Sequence, residues 1–246
     1  MKKLMITAAA AMTAMVGFCT IESSNVVGYA NTALKNGATP AGCQFVNVST
    51  GGAIDLTTII PAGYDEVSEG ELTAQTLDAY GRTTATYYWY DVEGEVYGWL
   101  DDTDEPVKAG AVMIQPGAGL WFVAPDEGYS FVSSGSVLTQ GDVSVGLRSG
   151  ALPIANPTPV PVDLTDIIVN GYEGDTEGDV TVQELDSYGR TTSTYYWYDV
   201  EGELYGWLDD ADEPIEEGAV MVQPGAGLWA VSPSDEFSVV WPKVTL

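Results

Sequence analysis

Histidine is absent from this 246-residue chain, and cysteine occurs only twice. Without histidine the chain can form neither a Ser-His nor a Cys-His pair, which excludes nucleophilic catalysis of those kinds. The usual zinc sites need clusters of Cys or His, and Cys19 and Cys43 do not supply one.

A carboxylate pair could serve a glycosidase, and Asp91, Glu93, Asp101 and Asp102 recur as Asp199, Glu201, Asp209 and Asp210. Carboxylates are so plentiful that such pairs arise by chance, and enzymes seldom need the same small site twice, so we expect a protein that is not an enzyme.

Basic residues are also scarce: 8 Lys and Arg stand against 36 Asp and Glu, for a formal net charge of -28. A polyanion of this kind is repelled by phosphate backbones and by anionic lipid, so we expect no nucleic-acid partner. Proteins, glycans and cations remain as partners. A solvated acidic surface also keeps an extracellular protein dispersed.

Residues 1–19 have the pattern of a signal peptide. Lys2 and Lys3 precede an uncharged run that is too short to span a bilayer, and Gly17-Phe18-Cys19 fits the small-x-small cleavage rule. The alternative is that Cys19 is kept as a lipid-modified residue. We predict export to the extracellular space or cell surface, with the periplasm as the alternative, and no membrane insertion after signal removal. Cleavage after Cys19 leaves Cys43 as the only thiol, predicted to be a small buried residue.

One stretch of the sequence occurs twice in the chain. Tyr80–Asp102 recurs with two changes as Tyr188–Asp210, and 80–125 matches 188–233 at 37 of 46 positions. The mature chain is therefore a tandem duplication, with one β-module at 20–138 and a second at 139–246. Their junction is too short to be a free tether, so we predict a fixed pair.

Strand signals follow one another at short spacing, and no long helical periodicity is present. Thr84–Asp91 and Glu95–Leu100 predict a hairpin rich in β-branched and aromatic residues, and Ala74–Asp78 predicts another strand. Gln44–Ser49 alternates apolar and polar residues and predicts a further strand. The sum is an all-β fold of about seven short strands per module, sandwich- or barrel-like.

Two local patterns carry more specific predictions. Asp55 before an apolar pair predicts the cap of a short helical turn. Pro116–Gly119 predicts a turn that lets Leu120–Val123 pair back on Ala111–Gln115.

Several motifs resemble a known group. Ser23–Tyr29 reads SSNVVGY directly after the signal peptide, and each module then has an aromatic strand and a PGAGLW turn. The chain resembles poorly characterised secreted tandem β-repeat proteins of Gram-negative bacteria. The resemblance implies export and repetition but no activity, and it brings no binding residues with it.

The aromatic strands provide candidates for carbohydrate binding, because sugars stack their apolar faces on exposed rings. The ligand-binding candidates are Tyr87, Trp89, Trp99, Tyr195, Trp197 and Trp207. The alternative is that these rings form the core, which is the leading explanation for the closer match between the two hairpin blocks.

Calcium is the one cofactor that the sequence leaves open, because it takes oxygen ligands from carboxylates. The metal candidates are Asp101, Asp102, Asp104, Asp209, Asp210 and Asp212, and Glu173–Asp179 is a second acidic stretch. Neither stretch has the EF-hand spacing, and the alternative is a solvated loop.

Arg82 and Arg190 are among the few basic residues at matching positions, and we expect them to bind neighbouring carboxylates. The best-supported function is a structural, adhesive or assembly role at the cell surface, with other protein subunits or cell-surface components as partners. The alternatives are a pair of carbohydrate-binding modules and a calcium-dependent adhesin.

Overall fold

The computed structural model is almost entirely β in the residues that it describes. These are 27–47, 52–62, 72–92, 95–125, 129–138, 141–171, 180–200 and 203–243. Within them lie twenty strands and two short 3-10 helices, Leu56–Thr58 and Leu164–Asp166. The predicted signal peptide, including Cys19, lies outside the described residues. No helix in the described ranges has the length and apolarity needed to cross a membrane.

Each repeat contributes ten strands. Those of the first repeat are β1 (Val27–Ala33), β2 (Gly37–Ala41), β3 (Ile54–Asp55), β4 (Ile60–Ala62), β5 (Thr73–Leu77), β6 (Thr83–Val92), β7 (Glu95–Leu100), β8 (Met113–Ile114), β9 (Leu120–Ala124) and β10 (Ser130–Ser136). Those of the second are β11 (Val143–Gly146), β12 (Gly150–Ala155), β13 (Val162–Asp163), β14 (Ile168–Asn170), β15 (Thr181–Leu185), β16 (Thr191–Val200), β17 (Glu203–Leu208), β18 (Met221–Val222), β19 (Gly227–Ser232) and β20 (Ser238–Trp241). The number exceeds the expected seven because β3, β4 and β8 have only two or three residues, too few for a periodic signal.

The two repeats have the same sheet topology. The first forms sheets ordered β2-β9-β5-β6-β7, β1-β10-β4 and β3-β8, and the second forms β12-β19-β15-β16-β17, β11-β20-β14 and β13-β18. Every one of these strand pairs is antiparallel. The predicted all-β class is confirmed, and a sandwich- or barrel-like description fits these small sheets.

Each repeat encloses its own hydrophobic core around a cross-strand tryptophan pair. Trp89 on β6 faces Trp99 on β7, with ring centroids 5.4 Å apart and an edge-to-face angle of 69°. The Trp99 indole N–H donates to the Ile59 carbonyl oxygen at 2.9 Å, which satisfies its buried polar group. Trp197 and Trp207 repeat the pair in the second core, with centroids 5.1 Å apart.

The predicted cap at Asp55 is confirmed. Its side chain accepts a hydrogen bond from the Thr57 N–H at 3.0 Å and begins the 3-10 helix. Asp163 does the same for Thr165 in the second repeat. The predicted hairpin is confirmed as β6 and β7, and the strand predicted at Ala74–Asp78 is β5.

Two strand predictions were wrong. Gln44 and Phe45 form a bend, Val46 and Asn47 form isolated bridges instead of a regular strand, and Val48 and Ser49 lie outside the described residues. The buried Gln44 amide instead binds the hydroxyls of Thr32 and Ser133, at 3.4 and 3.3 Å. The PGAG turn does not return β9 onto β8 either, because β9 lies between β2 and β5 while β8 pairs with β3.

The repeats pack directly against each other through reciprocal main-chain hydrogen bonds. The Ala38 N–H donates to the Ser187 carbonyl oxygen at 2.8 Å, and the Ala151 N–H donates to the Ala79 carbonyl oxygen at 2.7 Å. Ala38 aligns with Ala151 and Ala79 with Ser187 in the duplicated sequence. The contact is therefore isologous, with an approximate two-fold axis between the repeats.

The PGAG turns insert into the opposite repeat in the same reciprocal way. The Gly42 N–H donates to the Gly225 carbonyl oxygen at 2.9 Å, and its counterpart, the Ala155 N–H, donates to the Gly117 carbonyl oxygen at 2.8 Å. A Cβ at Gly117 would collide with Val145 of the second repeat. The turn that was predicted to close a hairpin instead joins the two repeats.

Gly37 combines a positive φ of 89° with a close approach to the Ser187 backbone, into which a Cβ would project. Gly98 has the same φ, but nothing lies within 4 Å of its Cβ position. We expect Gly98→Ala to lower the free energy of unfolding by about 1–2 kcal/mol through backbone strain alone. Gly37→Ala should lower it by about 3 kcal/mol or more, because the repeats must also separate. Urea unfolding of the full chain measures both, and equal losses would contradict the described interface.

Cys43 is a buried free thiol, as predicted. Burial raises the pKa of Cys43 to about 12, so almost no thiolate exists near neutral pH. We expect iodoacetamide at pH 8 to leave Cys43 unmodified in the native protein and to label it in urea, as read by peptide mass spectrometry. Equal labelling rates in the two states would show that the thiol is accessible.

Candidate functional site: an aromatic cleft between the repeats

Most of the rings predicted to bind a ligand are buried. Trp89, Trp99, Trp197 and Trp207 are only 5%, 2%, 2% and 2% exposed, and Tyr195 is 7% exposed. These rings cannot stack on a ligand, so their assignment to a binding surface is corrected to the core. The alternation of the aromatic strand places them on its inward face, as the alternative interpretation held.

Tyr87, the remaining aromatic candidate, is half-buried and lies beside the acidic loop. With Asp101 and Asp102 it lines a cavity of about 670 Å³. Burial raises the pKa of Tyr87, and the charges of the two aspartates add to the effect. Its counterpart Tyr195 differs, since its hydroxyl lies 3.2 Å from the Glu184 carboxylate and donates to it.

The acidic loops use carboxylates to hold their own turns. Asp101 Oδ1 accepts the N–H groups of Thr103 at 2.9 Å and Glu105 at 3.1 Å, and the Thr103 hydroxyl at 2.7 Å. The bond from the Thr103 side chain leads the interactions that lower the pKa of Asp101. Asp209 accepts the N–H groups of Ala211 and Glu213 in the same way.

The other metal candidates lie in these two loops. Asp102, Asp104, Asp210 and Asp212 are exposed there. No group of three or more His, Cys, Asp or Glu within the described ranges is arranged to hold a metal ion. The acidic stretch Glu173–Asp179 lies outside those ranges, and calcium binding stays a prediction.

A different pair of tryptophans forms the floor of a cleft on the approximate two-fold axis. Trp121 on β9 and Trp229 on β19 are partly exposed, with ring centroids 5.5 Å apart and an interplanar angle of 67°. Each ring comes from a different repeat and occupies the same position in it. The cleft has a volume of about 320 Å³.

The cleft lining consists of equivalent residues from the two repeats. These are Gln75, Leu77, Gly81, Thr83 and Trp121 from the first, and Gln183, Leu185, Gly189, Thr191 and Trp229 from the second. The Thr83 hydroxyl donates to Gln75 Oε1 at 3.0 Å, and Thr191 donates to Gln183 Oε1 at the same distance. Each glutamine therefore keeps its Nε2 hydrogens as donors for a ligand.

A preorganised loop flanks the cleft on each side. In the first repeat, Asp78 Oδ1 accepts the N–H groups of Tyr80 at 2.8 Å and Arg82 at 2.9 Å. Between them Gly81 has a φ of 73°, and a Cβ there would lie 3.0 Å from the Trp229 ring. Gly81 therefore lets the loop of one repeat approach the tryptophan of the other.

An arginine pairs with both the aspartate and the tyrosine of its loop. Arg82 Nη2 lies 2.7 Å from Asp78 Oδ2, and its guanidinium carbon lies 5.0 Å from the centre of the Tyr80 ring. Asp186, Arg190 and Tyr188 repeat both contacts. The predicted arginine–carboxylate pairs are thus confirmed, and they hold tyrosines that are 79% and 78% exposed.

Sequence reasoning did not select Trp121, Trp229, Tyr80 or Tyr188 as ligand candidates. Their signal was present, because both PGAGLW turns and both Tyr-Gly-Arg triplets are kept in the duplication. Strand alternation could not show that Trp121 and Trp229, which follow the two turns, come together across the interface between the repeats.

The chain matches no family model, no curated protein and no solved structure.

Hydrogen bonds from Arg82 lower the pKa of Asp78, and the bond from the Arg82 side chain has a larger effect than the bond from the Arg82 main-chain N–H. Because this folded-state pKa lies below the unfolded value, the pair stabilises the loop at any pH above the ordinary carboxyl pKa of about 3.9. The contribution is lost as pH falls through the lowered pKa. We expect the NMR chemical shift of the Arg82 Nε–H to stay constant from pH 7 to 5. At lower pH it should change with a midpoint below the ordinary carboxyl pKa of about 3.9. The Asp78→Asn variant should lack the transition, and a midpoint above 3.9 would contradict the pairing.

Proposed function

We propose that the chain is an exported, non-catalytic adhesion or structural protein of the cell surface, in which two fused β-repeats act as one binding body. The observation that carries this proposal is the pair of exposed tyrosines held rigidly beside a partly exposed tryptophan pair. Tyrosine and tryptophan are enriched at protein interfaces, where their rings supply apolar area and their polar groups supply hydrogen bonds.

The loop hydrogen bonds support a binding role. Asp78 orders the loop before any partner arrives, and Asp186 does the same in the second repeat. A surface ordered in advance loses less conformational entropy on binding, which strengthens the complex.

The chemistry of the cleft supports binding without reaction. Its ten lining residues are Gln, Leu, Gly, Thr and Trp, and none of them is ionisable. General acid–base catalysis needs a titratable group within hydrogen-bond reach of the substrate. The cell-surface location is proposed from the signal-peptide pattern of residues 1–19.

The test uses labelled full-length protein and envelope fragments of the cells that produce it. We expect wild-type protein to bind, and Tyr80→Ala/Tyr188→Ala to bind about fivefold or more weakly, because two exposed anchors are lost. Tyr29→Ala is the matched control, since Tyr29 is 71% exposed but lies on β1 and in neither of the loops that flank the cleft. Equal binding by all three proteins would refute the role of the flanking tyrosine loops, and absence of wild-type binding would refute adhesion.

A further inference from the structure

The cleft has the surface chemistry of a sugar-binding site. Its Trp121 and Trp229 rings are packed edge-to-face and offer partly exposed apolar surface, while the Nε2 groups of Gln75 and Gln183 offer hydrogen-bond donors. Pyranose rings have apolar C–H faces edged with hydroxyl groups, which match such a mixture of rings and amides. The volume of about 320 Å³ lies near the lower end of the range for small-ligand sites, about 300–1,000 Å³. A short stretch of ligand would therefore occupy it.

Charge narrows the class of ligand further. The chain has a formal charge of -28, so an anionic polymer is repelled at long range. Arg82 and Arg190 lie beside the cleft and are each paired with an aspartate. The Lys35 Nζ donates at 3.2 Å to the carbonyl oxygen of Leu185, which lines the cleft. The two arginines are neutralised by their carboxylates, so Lys35 alone among these three basic residues offsets the overall charge of -28, and an uncharged ligand is favoured.

The approximate two-fold symmetry of the cleft favours a ligand that is built from repeating units. Each half of the cleft presents the same Trp, Gln, Thr, Gly and Leu. A linear glycan has a direction, so the two halves meet it in opposite orientations, but each of its units has the same ring and hydroxyl groups and both halves can contact one. A ligand with one distinctive group would use only one half. Both tryptophans are then needed in a single bound complex.

We propose that this cleft binds a short stretch of an uncharged homopolysaccharide, with Trp121 and Trp229 as stacking platforms and Gln75 and Gln183 as hydroxyl-binding groups. This inference rests on the proposed adhesive function and names its ligand class.

Affinity gel electrophoresis of the full chain tests the proposal with soluble probes. The uncharged probes are hydroxyethylcellulose, a mixed-linkage β-glucan and a mannan, and the anionic probe is alginate. We expect at least one uncharged probe to retard the protein and alginate to have no effect. Trp121→Ala and Trp229→Ala should each weaken retardation about tenfold or more, by similar factors because their positions are equivalent.

Further variants separate loss of binding from loss of folding. Tyr80 is exposed on the loop that flanks the cleft but does not line it. Tyr80→Ala should therefore weaken binding less than the tryptophan substitutions and leave the melting temperature unchanged, and Tyr29→Ala should change neither. Retardation that survives both tryptophan substitutions would overturn the site, and equal retardation by alginate would overturn the charge argument. If no uncharged probe binds while envelope binding still depends on Tyr80 and Tyr188, the glycan inference fails and the adhesive function stands.

Discussion

The reciprocal contact between the two repeats is the constraint on which the rest of the structure depends. Ala38 and Ala151 donate main-chain hydrogen bonds to equivalent carbonyls of the opposite repeat, and the PGAG turns insert in both directions. Every favourable contact in an isologous interface occurs twice. Covalent fusion also keeps the second repeat at a high effective concentration, so the pair assembles within one chain.

The cleft exists only because of this contact. Each repeat has its own hydrophobic core, and each sheet is formed by strands of one repeat. Neither repeat by itself has a pair of tryptophans on its surface. Trp121 and Trp229 meet because the interface brings β9 and β19 together around the axis, and Gly81 and Gly189 let the flanking loops approach the opposite ring. The block from 80 to 125 thus contains core, interface and cleft residues together.

Sequence reasoning succeeded where local physics decides the structure. The Asp55 cap and the hairpin of β6 and β7 depend on neighbouring residues, and both were predictable. It failed where a partner distant in sequence decides. The segment Gln44–Asn47 alternates like a strand, but the Gln44 side-chain amide hydrogen-bonds to the buried hydroxyls of Thr32 and Ser133. Strand β9 pairs with β2 and β5 and not with β8, the partner expected from the sequence.

By itself, the sequence determined the duplication, the all-β class, the arginine–carboxylate pairs and the burial of Cys43, because each follows from composition, spacing or short-range chemistry. Only the tertiary structure decided which aromatic rings face solvent. Trp89 and Trp121 both lie on strands and have similar chemistry, yet one is buried in a core and the other reaches the axis. Side-chain exposure depends on which surfaces meet across the interface, and no periodicity within a single strand encodes that.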